Sequence, residues 1–183
     1  MQRVLTRWNE PNGYRHVLKV SRPLVASMGS ITLMQFTDRI FLANSSVGAI
    51  SAALPAGIAS FTFISFFMGA GNYTNVFVAQ YMGCGAVSRI GSAIWQGLYF
   101  ALAASLVLAG LILISKPLFD AIGHPPHIRE LEIIYFNILT LGAGLVVISS
   151  VLACFYIGQG LTRLVMLVHL AGAAVNIPLD YCL

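Results

Sequence analysis

The sequence predicts an all-α integral membrane protein. Of its 183 residues, 58% are hydrophobic and only 9% are charged, and the mean hydropathy is +0.84. Soluble domains carry about 25% charged residues, so a soluble chain of this composition could not cover its surface with polar groups. Five apolar runs of about 20 residues or more could each cross a ~30 Å hydrocarbon core as a helix. The short alternating segments of membrane β-strands are not found in the sequence.

Residues 1–19 form a polar tail that contains the turn signal Pro11-Asn12-Gly13, and residues 20–183 form the membrane bundle. Pro23 lies near the start of the first span, within its first predicted turn, where a missing amide costs little. We expect Lys116-Pro117 to end the third span and residues 118–132 to form the most polar loop. The five predicted spans are 21–43, 52–78, 90–115, 133–157 and 164–183.

The distribution of Lys and Arg predicts the orientation of the chain. Seven bases fall on the side of the N-terminal tail and two on the opposite side. Because cytoplasmic segments carry the excess of positive charge, we expect the N-terminus in the cytoplasm and the protein in the cell membrane. The seven are Arg3, Arg7, Arg15, Lys19, Arg22, Arg89 and Arg163, and the two are Lys116 and Arg129.

The sequence contains no pattern typical of an enzyme or of a bound cofactor. Cys84, Cys154 and Cys182 have no CxxC or His spacing and are interpreted as small apolar residues in the spans. His124 and His127 lack a third metal ligand nearby. No Walker A motif, nucleophile elbow or HExxH sequence occurs, so we expect neither catalysis nor a nucleic-acid partner.

The first span contains an acid, Asp38, in the segment Gln35-Phe36-Thr37-Asp38-Arg39. A carboxylate at the centre of a membrane helix costs about 2.5–3.5 kcal/mol on insertion scales. Asp38 is therefore expected to be paired, to be solvated in a cavity or to exchange a cation.

The fifth run carries Asn176 and Asp180, which lie on one helix face because they are four residues apart. Between them Pro178 lacks an amide hydrogen and crowds the carbonyl of Ala174. A carboxylate, an amide oxygen and a freed carbonyl form a set of hard oxygen ligands for a small cation. The alternative is that Asp180 pairs with a base such as Arg39, and spacing alone leaves both open.

Depth in the membrane favours the cation site. Asp38 lies 17 residues after Ser21, and Asp180 lies 17 residues after Arg163, where the fifth span starts on the same side. Both acids therefore stand about 25 Å along their helices and can converge. Two nearby carboxylates favour uptake of one proton, whereas a bound sodium ion would keep both ionised.

Other polar residues carry weaker signals. Tyr135, near the outer start of the fourth span, could donate to a carboxylate or serve as an interface aromatic. His169 is interpreted as a structural histidine in preference to a proton relay. Gln35 and Asn72 could line a cavity or bridge helices.

In several segments the chain resembles the N-terminal lobe of the multidrug and toxic compound extrusion (MATE) family of secondary transporters. The resemblance covers about residues 20–183 and is carried mainly by the first-span Asp together with Asn-x-x-x-Asp in the fifth span. The matching segments are Pro23 with residues 32–38, residues 50–53, residues 78–86 and residues 176–181.

The resemblance implies a twelve-span transporter of two lobes that exports small organic, often cationic, compounds by alternating access in exchange for protons or sodium. Asp38, Asn176 and Asp180 would bind the cation, with no other metal or cofactor, and Tyr135 and Gln35 would support that site. Pro23 and Pro178 would let their helices bend. Membrane lipid would surround the bundle.

Compared with this family, the 183 residues lack the sixth helix and the C-terminal lobe. We therefore expect a fragment of a longer transporter, in which the missing C-lobe would be the partner. Two alternatives remain: a lipid-linked oligosaccharide flippase of the same superfamily, and a truncated remnant that does not transport. Flippase cavities are lined with basic residues, and only Arg39 is a candidate here.

Overall fold

A computed structural model describes Trp8, residues 13–45 and residues 47–182 of the chain. Within these residues the backbone forms helices and no strands, which confirms the all-α prediction. The helices are α1 (Tyr14–Ser45), α2 (Val47–Asn72), α3 (Thr74–Gly83), α4 (Ser88–Gly110), α5 (Ile112–Ile122), α6 (Pro126–Gly158) and α7 (Thr162–Cys182).

Four helical stretches of the described chain are long and apolar enough to cross a membrane. They correspond to the second to fifth predicted spans. The first predicted span lies within α1, which has 32 residues but is made less apolar by Gln35, Asp38 and Arg39. The four stretches are Ile50–Gly83 (which joins α2 and α3), Ser88–Gly110, Pro126–Gly158 and Thr162–Tyr181.

The predicted end of the third span at Lys116-Pro117 is wrong. The helix ends at Gly110, and the amide of Leu111 bonds to the carbonyls of both Val107 and Leu108, which tightens the last turn. Pro117 lies inside the next helix, α5. The carbonyl that Pro117 crowds, that of Leu113, also lies inside α5, so the helix tolerates this proline and the break at Leu111 is separate from it.

The predicted polar loop over 118–132 is also mostly helical. Only a short connection separates α5 from α6, because Gly123 ends α5 with a positive φ of 80° and Pro126 starts α6. Glycine adopts this left-handed conformation without a steric penalty, and proline is well suited to the first position of a helix. The second predicted span is likewise divided, with a turn at Tyr73 between α2 and α3.

The prediction that Pro23 lies in the first turn of its helix is wrong. Helix α1 begins at Tyr14, so Pro23 lies in its interior, and the side chain is buried. The helix extends beyond the apolar run because the polar residues before it also form helix. The missing amide therefore leaves the carbonyl of Lys19 without its helical donor.

The chain divides into two compact units. The terminal unit comprises Met1–Phe41 and Gly160–Leu183, and the central unit comprises Leu42–Gln159. In the central unit α6 contacts α2, α3, α4 and α5.

The central unit has an apolar core along α4 and α6. Small residues of α4 face α6, including Ala101 and Ala104 against Ala143 and Val147. A second cluster is aromatic: the rings of Phe119 and Phe136 stand edge to face with centroids 5.5 Å apart. Small residues allow the close helix approach by which membrane helices associate.

At several glycines of the central unit, Gly97 and Gly144 among them, another helix leaves no room for a side chain. A Cβ on Gly97 would stand 2.6 Å from Thr74 Oγ1 and 2.9 Å from a methyl of Val151. A Cβ on Gly144 would stand 2.7 Å from Ser105 Cβ. These positions therefore determine how closely α6 and α3 approach α4.

Polar side chains add hydrogen bonds within the central unit. The side-chain oxygen of Asn72 accepts a hydrogen bond from the Ser150 hydroxyl and thereby bridges α2 and α6. Bridging of helices is one of the two roles predicted for Asn72. The fully buried Glu132 pairs with His124 Nδ1 at 2.7 Å, and Arg129 pairs with Asp120 at 2.9 Å. His124, in the connection between α5 and α6, is thus a partner of a buried carboxyl group.

We expect Gly97→Ala to lower the free energy of unfolding by about 1–3 kcal/mol, because the added methyl overlaps Thr74 and Val151. Gly91→Ala is the matched control, since it lies on the same helix and its Cβ would meet nothing within 4 Å. Thermal unfolding in detergent measures both. Equal midpoints for the two variants would contradict the close approach.

Candidate functional site

The two helices of the terminal unit run parallel with a constant register. Thr162 Oγ1 of α7 donates to the carbonyl of Val20 of α1 at 3.2 Å, and Ser27 of α1 hydrogen-bonds with His169 of α7. Both pairs are separated by 142 positions in the chain. Equal separation at successive contacts means that the helices advance together in the same direction.

Three predicted site residues converge further along the same pair of helices. With its amide oriented so that the NH₂ group faces the acids, Asn176 donates to Asp38 Oδ1 at 3.1 Å and to Asp180 Oδ2 at 3.2 Å. The Asp38 and Asp180 carboxyl groups also lie within hydrogen-bonding reach of each other. Asp38 and Asp180 are again 142 positions apart, so the shared register brings them together.

The carboxyl cluster, defined as Asp38, Asn176 and Asp180, is half-buried. Beyond it, the rings of Phe41 and Tyr181 stand 6.2 Å apart at 64°. Arg39 is exposed, and Asp180 is hydrogen-bonded with Asn176, so the structure favours the cluster over the alternative in which Arg39 neutralises Asp180.

The cluster contains the groups needed to bind one small cation. Two carboxylates in contact can share a proton, because ionising both places like charges side by side. Alternatively, the carboxylate oxygens and the amide oxygen of Asn176 are hard ligands for a sodium ion. No group of three or more His, Cys, Asp or Glu that could hold a metal is found among the described residues.

Of four further predicted site residues, three lie on the two helices of the terminal unit and one lies in the central unit. Gln35 is exposed one turn before Asp38, and Pro178 lies inside α7 between Asn176 and Asp180. Pro23 is buried in α1. Tyr135 belongs to the central unit, where it packs against the aromatic cluster of Phe119 and Phe136. Their roles at the cation site stay predictions.

The partner of His169 was missed by the sequence analysis. Ser27, which is buried, hydrogen-bonds with the imidazole and gives the histidine a structural contact between α1 and α7. Ser30 donates to the carbonyl of Ser27 at 2.8 Å. The serines at positions 27 and 30 are nearly one turn apart in an apolar run, and that spacing could have indicated a polar face.

The fold and the cluster together define a class: a multi-pass helical membrane protein with an acid pair held between two of its helices. The MatE family model matches residues 23–182, and the chain therefore belongs to the MatE family.

Curated relatives agree with this assignment. The chain is 28% identical over 170 residues to a probable multidrug resistance protein NorM of Pseudomonas aeruginosa and 25% identical over 171 residues to the multidrug resistance protein PmpM of the same organism. These matches cover 90% and 92% of this chain but 34% and 36% of the relatives. The chain thus spans about a third of their length.

A solved structure has the same fold. It is a MOP superfamily transporter from Pyrococcus furiosus, with a TM-score of 0.83 and 23% sequence identity. The match covers 90% of this chain and 37% of that chain. It supports the predicted likeness to part of a larger helical transporter fold.

We expect Asn176→Ala to destabilise the chain by about 1 kcal/mol, the usual net contribution of an intramolecular hydrogen bond. The loss should be larger in alkaline than in acidic buffer, because two ionised carboxylates need the shared N–H donor most. Thermal unfolding at both conditions measures it.

The double variant Asp38→Asn/Asp180→Asn provides the control for this pH dependence. With both charges removed, Asn176→Ala should lower the stability of the chain by the same amount in acidic and in alkaline buffer. If Asn176→Ala lowers stability equally in acidic and alkaline buffer in the chain that keeps both acids, Asn176 does not bridge them.

Proposed function

We propose that this chain contains the cation site of an antiporter that exports small organic, drug-like compounds in exchange for protons or sodium. The observation that carries the proposal is the convergence of Asp38, Asn176 and Asp180 between two parallel helices. Membership of the MatE family and relatives named as multidrug resistance proteins support the transport role.

The cluster is suited to reversible cation binding. Two acids in a mostly apolar helix pair have a high free energy when both are ionised, and binding a single cation relieves it. The site is half-buried and not sealed, so the cation can also leave. An exchanger needs both properties, because a cation that never dissociates cannot be coupled to a second solute.

Asn176 can serve either cation by rotating its amide. With the NH₂ group toward the acids it donates to both carboxylates, at 3.1 and 3.2 Å. Turned over, it presents its oxygen, which is the ligand that sodium requires. The same three side chains therefore accommodate a shared proton or a coordinated sodium ion.

Bending of the two helices would couple the site to alternating access. Pro23 and Pro178 lie inside α1 and α7, and each removes one backbone hydrogen bond from its helix. Pro178 does so within the cluster itself, between Asn176 and Asp180. Gln35 and Tyr135 would act as supporting polar groups, and the N-terminus would lie in the cytoplasm of a cell-membrane protein.

The decisive test replaces the two acids. In proteoliposomes of the protein translated from the whole open reading frame containing this sequence, we expect Asp38→Asn or Asp180→Asn to reduce drug-driven proton or sodium exchange to the level of empty vesicles. A pH-sensitive dye and radioactive sodium measure the two exchanges. Both variants keep side-chain volume, so insertion should be intact.

Asp120→Asn is the matched control, because it makes the same chemical change at an acid that pairs with Arg129 in the central unit. It should leave exchange unchanged. Normal exchange in both cluster variants would refute the proposed site.

A further inference from the structure

The terminal unit contains a cavity of about 460 Å³ at the start of its two helices, far from the carboxyl cluster. Four of its lining residues are bases, and they come from both helices. Its size is within the range of about 300–1,000 Å³ that is usual for ligand sites. The lining consists of Trp8, Arg15, Leu18, Lys19, Arg22, Pro23 and Arg163.

Within the described part of the chain, no acidic residue lines the cavity beside the four bases. The described acids of the terminal unit, Asp38 and Asp180, lie 16 residues beyond Arg22 and 17 beyond Arg163, which is about 25 Å along the helices. At that distance ions in solution screen the acids from the bases.

The helix ends add to the positive field. Neither α1 nor α7 has an acidic residue in its first turn, and α7 places Arg163 there instead. A helix N-terminus carries about half a positive charge, so a base in the first turn is unfavourable by itself. Arg15, Lys19, Arg22 and Arg163 are exposed, and together with the two helix ends they make this cavity a favourable place for an anion.

The surroundings of the cavity indicate a lipid as the source of that anion. Trp8, Leu18 and Pro23 give the lining an apolar part, and Trp is enriched at the level of lipid headgroups. Exposed apolar side chains also follow beyond the bases on both helices, at Val25 on α1 and at Leu164 on α7. Acyl chains could therefore run along the helices from a headgroup held in the cavity.

We propose that this basic cavity binds the phosphate of an anionic membrane phospholipid, with Lys19 and Arg163 holding it from the two helices. Arginine is suited to bidentate contacts with phosphate, and lysine contributes a point charge. The bound headgroup neutralises the cavity and links α1 to α7 at the end opposite the carboxyl cluster.

Titration of the delipidated chain with phosphatidylglycerol tests the site. The sequence has two tryptophans, so Trp95→Phe leaves Trp8, in the cavity lining, as the fluorescent reporter. Native mass spectrometry counts the lipids retained. Each base near an anionic headgroup is worth about fivefold in affinity, so Lys19→Gln/Arg163→Gln should weaken binding about 30-fold.

The control pair Arg89→Gln/Lys116→Gln removes the same charge from exposed positions of the central unit and should bind normally. Lys19→Arg/Arg163→Lys should retain binding. If the first pair fails to fold, Arg15→Gln/Arg22→Gln makes the same test.

Three outcomes would overturn the proposal. Equal weakening in the control pair would mean general surface attraction. Equal affinity for phosphatidylcholine would mean that the net charge of the headgroup is not recognised. Displacement of the lipid by millimolar inorganic phosphate would mean a site for a soluble anion. Loss of binding confined to the cavity variants, with phosphatidylglycerol preferred and phosphate ineffective, supports the lipid site.

Discussion

The terminal unit depends on hydrogen bonding to two acids in helices that are otherwise apolar. An unpaired carboxylate out of water is too costly to be kept, whereas one that is paired and hydrogen-bonded is tolerated. Asn176 meets this need with a single amide that reaches both Asp38 and Asp180. Because an amide carries no charge, it holds the acids together without cancelling them, and the pair keeps its attraction for a cation.

The central unit handles its buried acid differently. Glu132 is fully buried, but His124 lies 2.7 Å from its Oε1, and its Oε2 has no hydrogen-bond partner among the described residues. A histidine can supply a compensating positive charge by taking up a proton, which an asparagine cannot. The acid of the central unit therefore has a side chain beside it that can become a cation. The acids of the terminal unit have only an uncharged amide, which leaves them able to bind a cation.

Much of the carboxyl cluster could be predicted from the sequence because its signals are chemical. Asp38, Asn176 and Asp180 are conspicuous in apolar runs, and counting residues from the start of each span placed both acids at one depth. The matching 142-residue separations of the contacts at Val20, Ser27 and Asp38 agree with that count.

Other features could not be predicted because they depend on helix geometry or on partners distant in the chain. Pro117 is predicted to end a helix, but it lies inside α5, and the break comes earlier, at Leu111. Pro23 is predicted in a first turn because hydropathy marks the apolar run, whereas the helix itself starts at Tyr14. The burial of Glu132 depends on packing around the start of α6, which local polarity does not reveal.

The common register of α1 and α7 makes the site sensitive to residue count as well as to residue identity. Eleven positions separate Ser27 from Asp38, and eleven separate His169 from Asp180. Eleven residues make about three full turns and about 16 Å, so the serine–histidine contact and the acids lie on one face of each helix. Inserting one residue in either interval would rotate an acid by about 100° away from its partner. The length of these two intervals can therefore change only together.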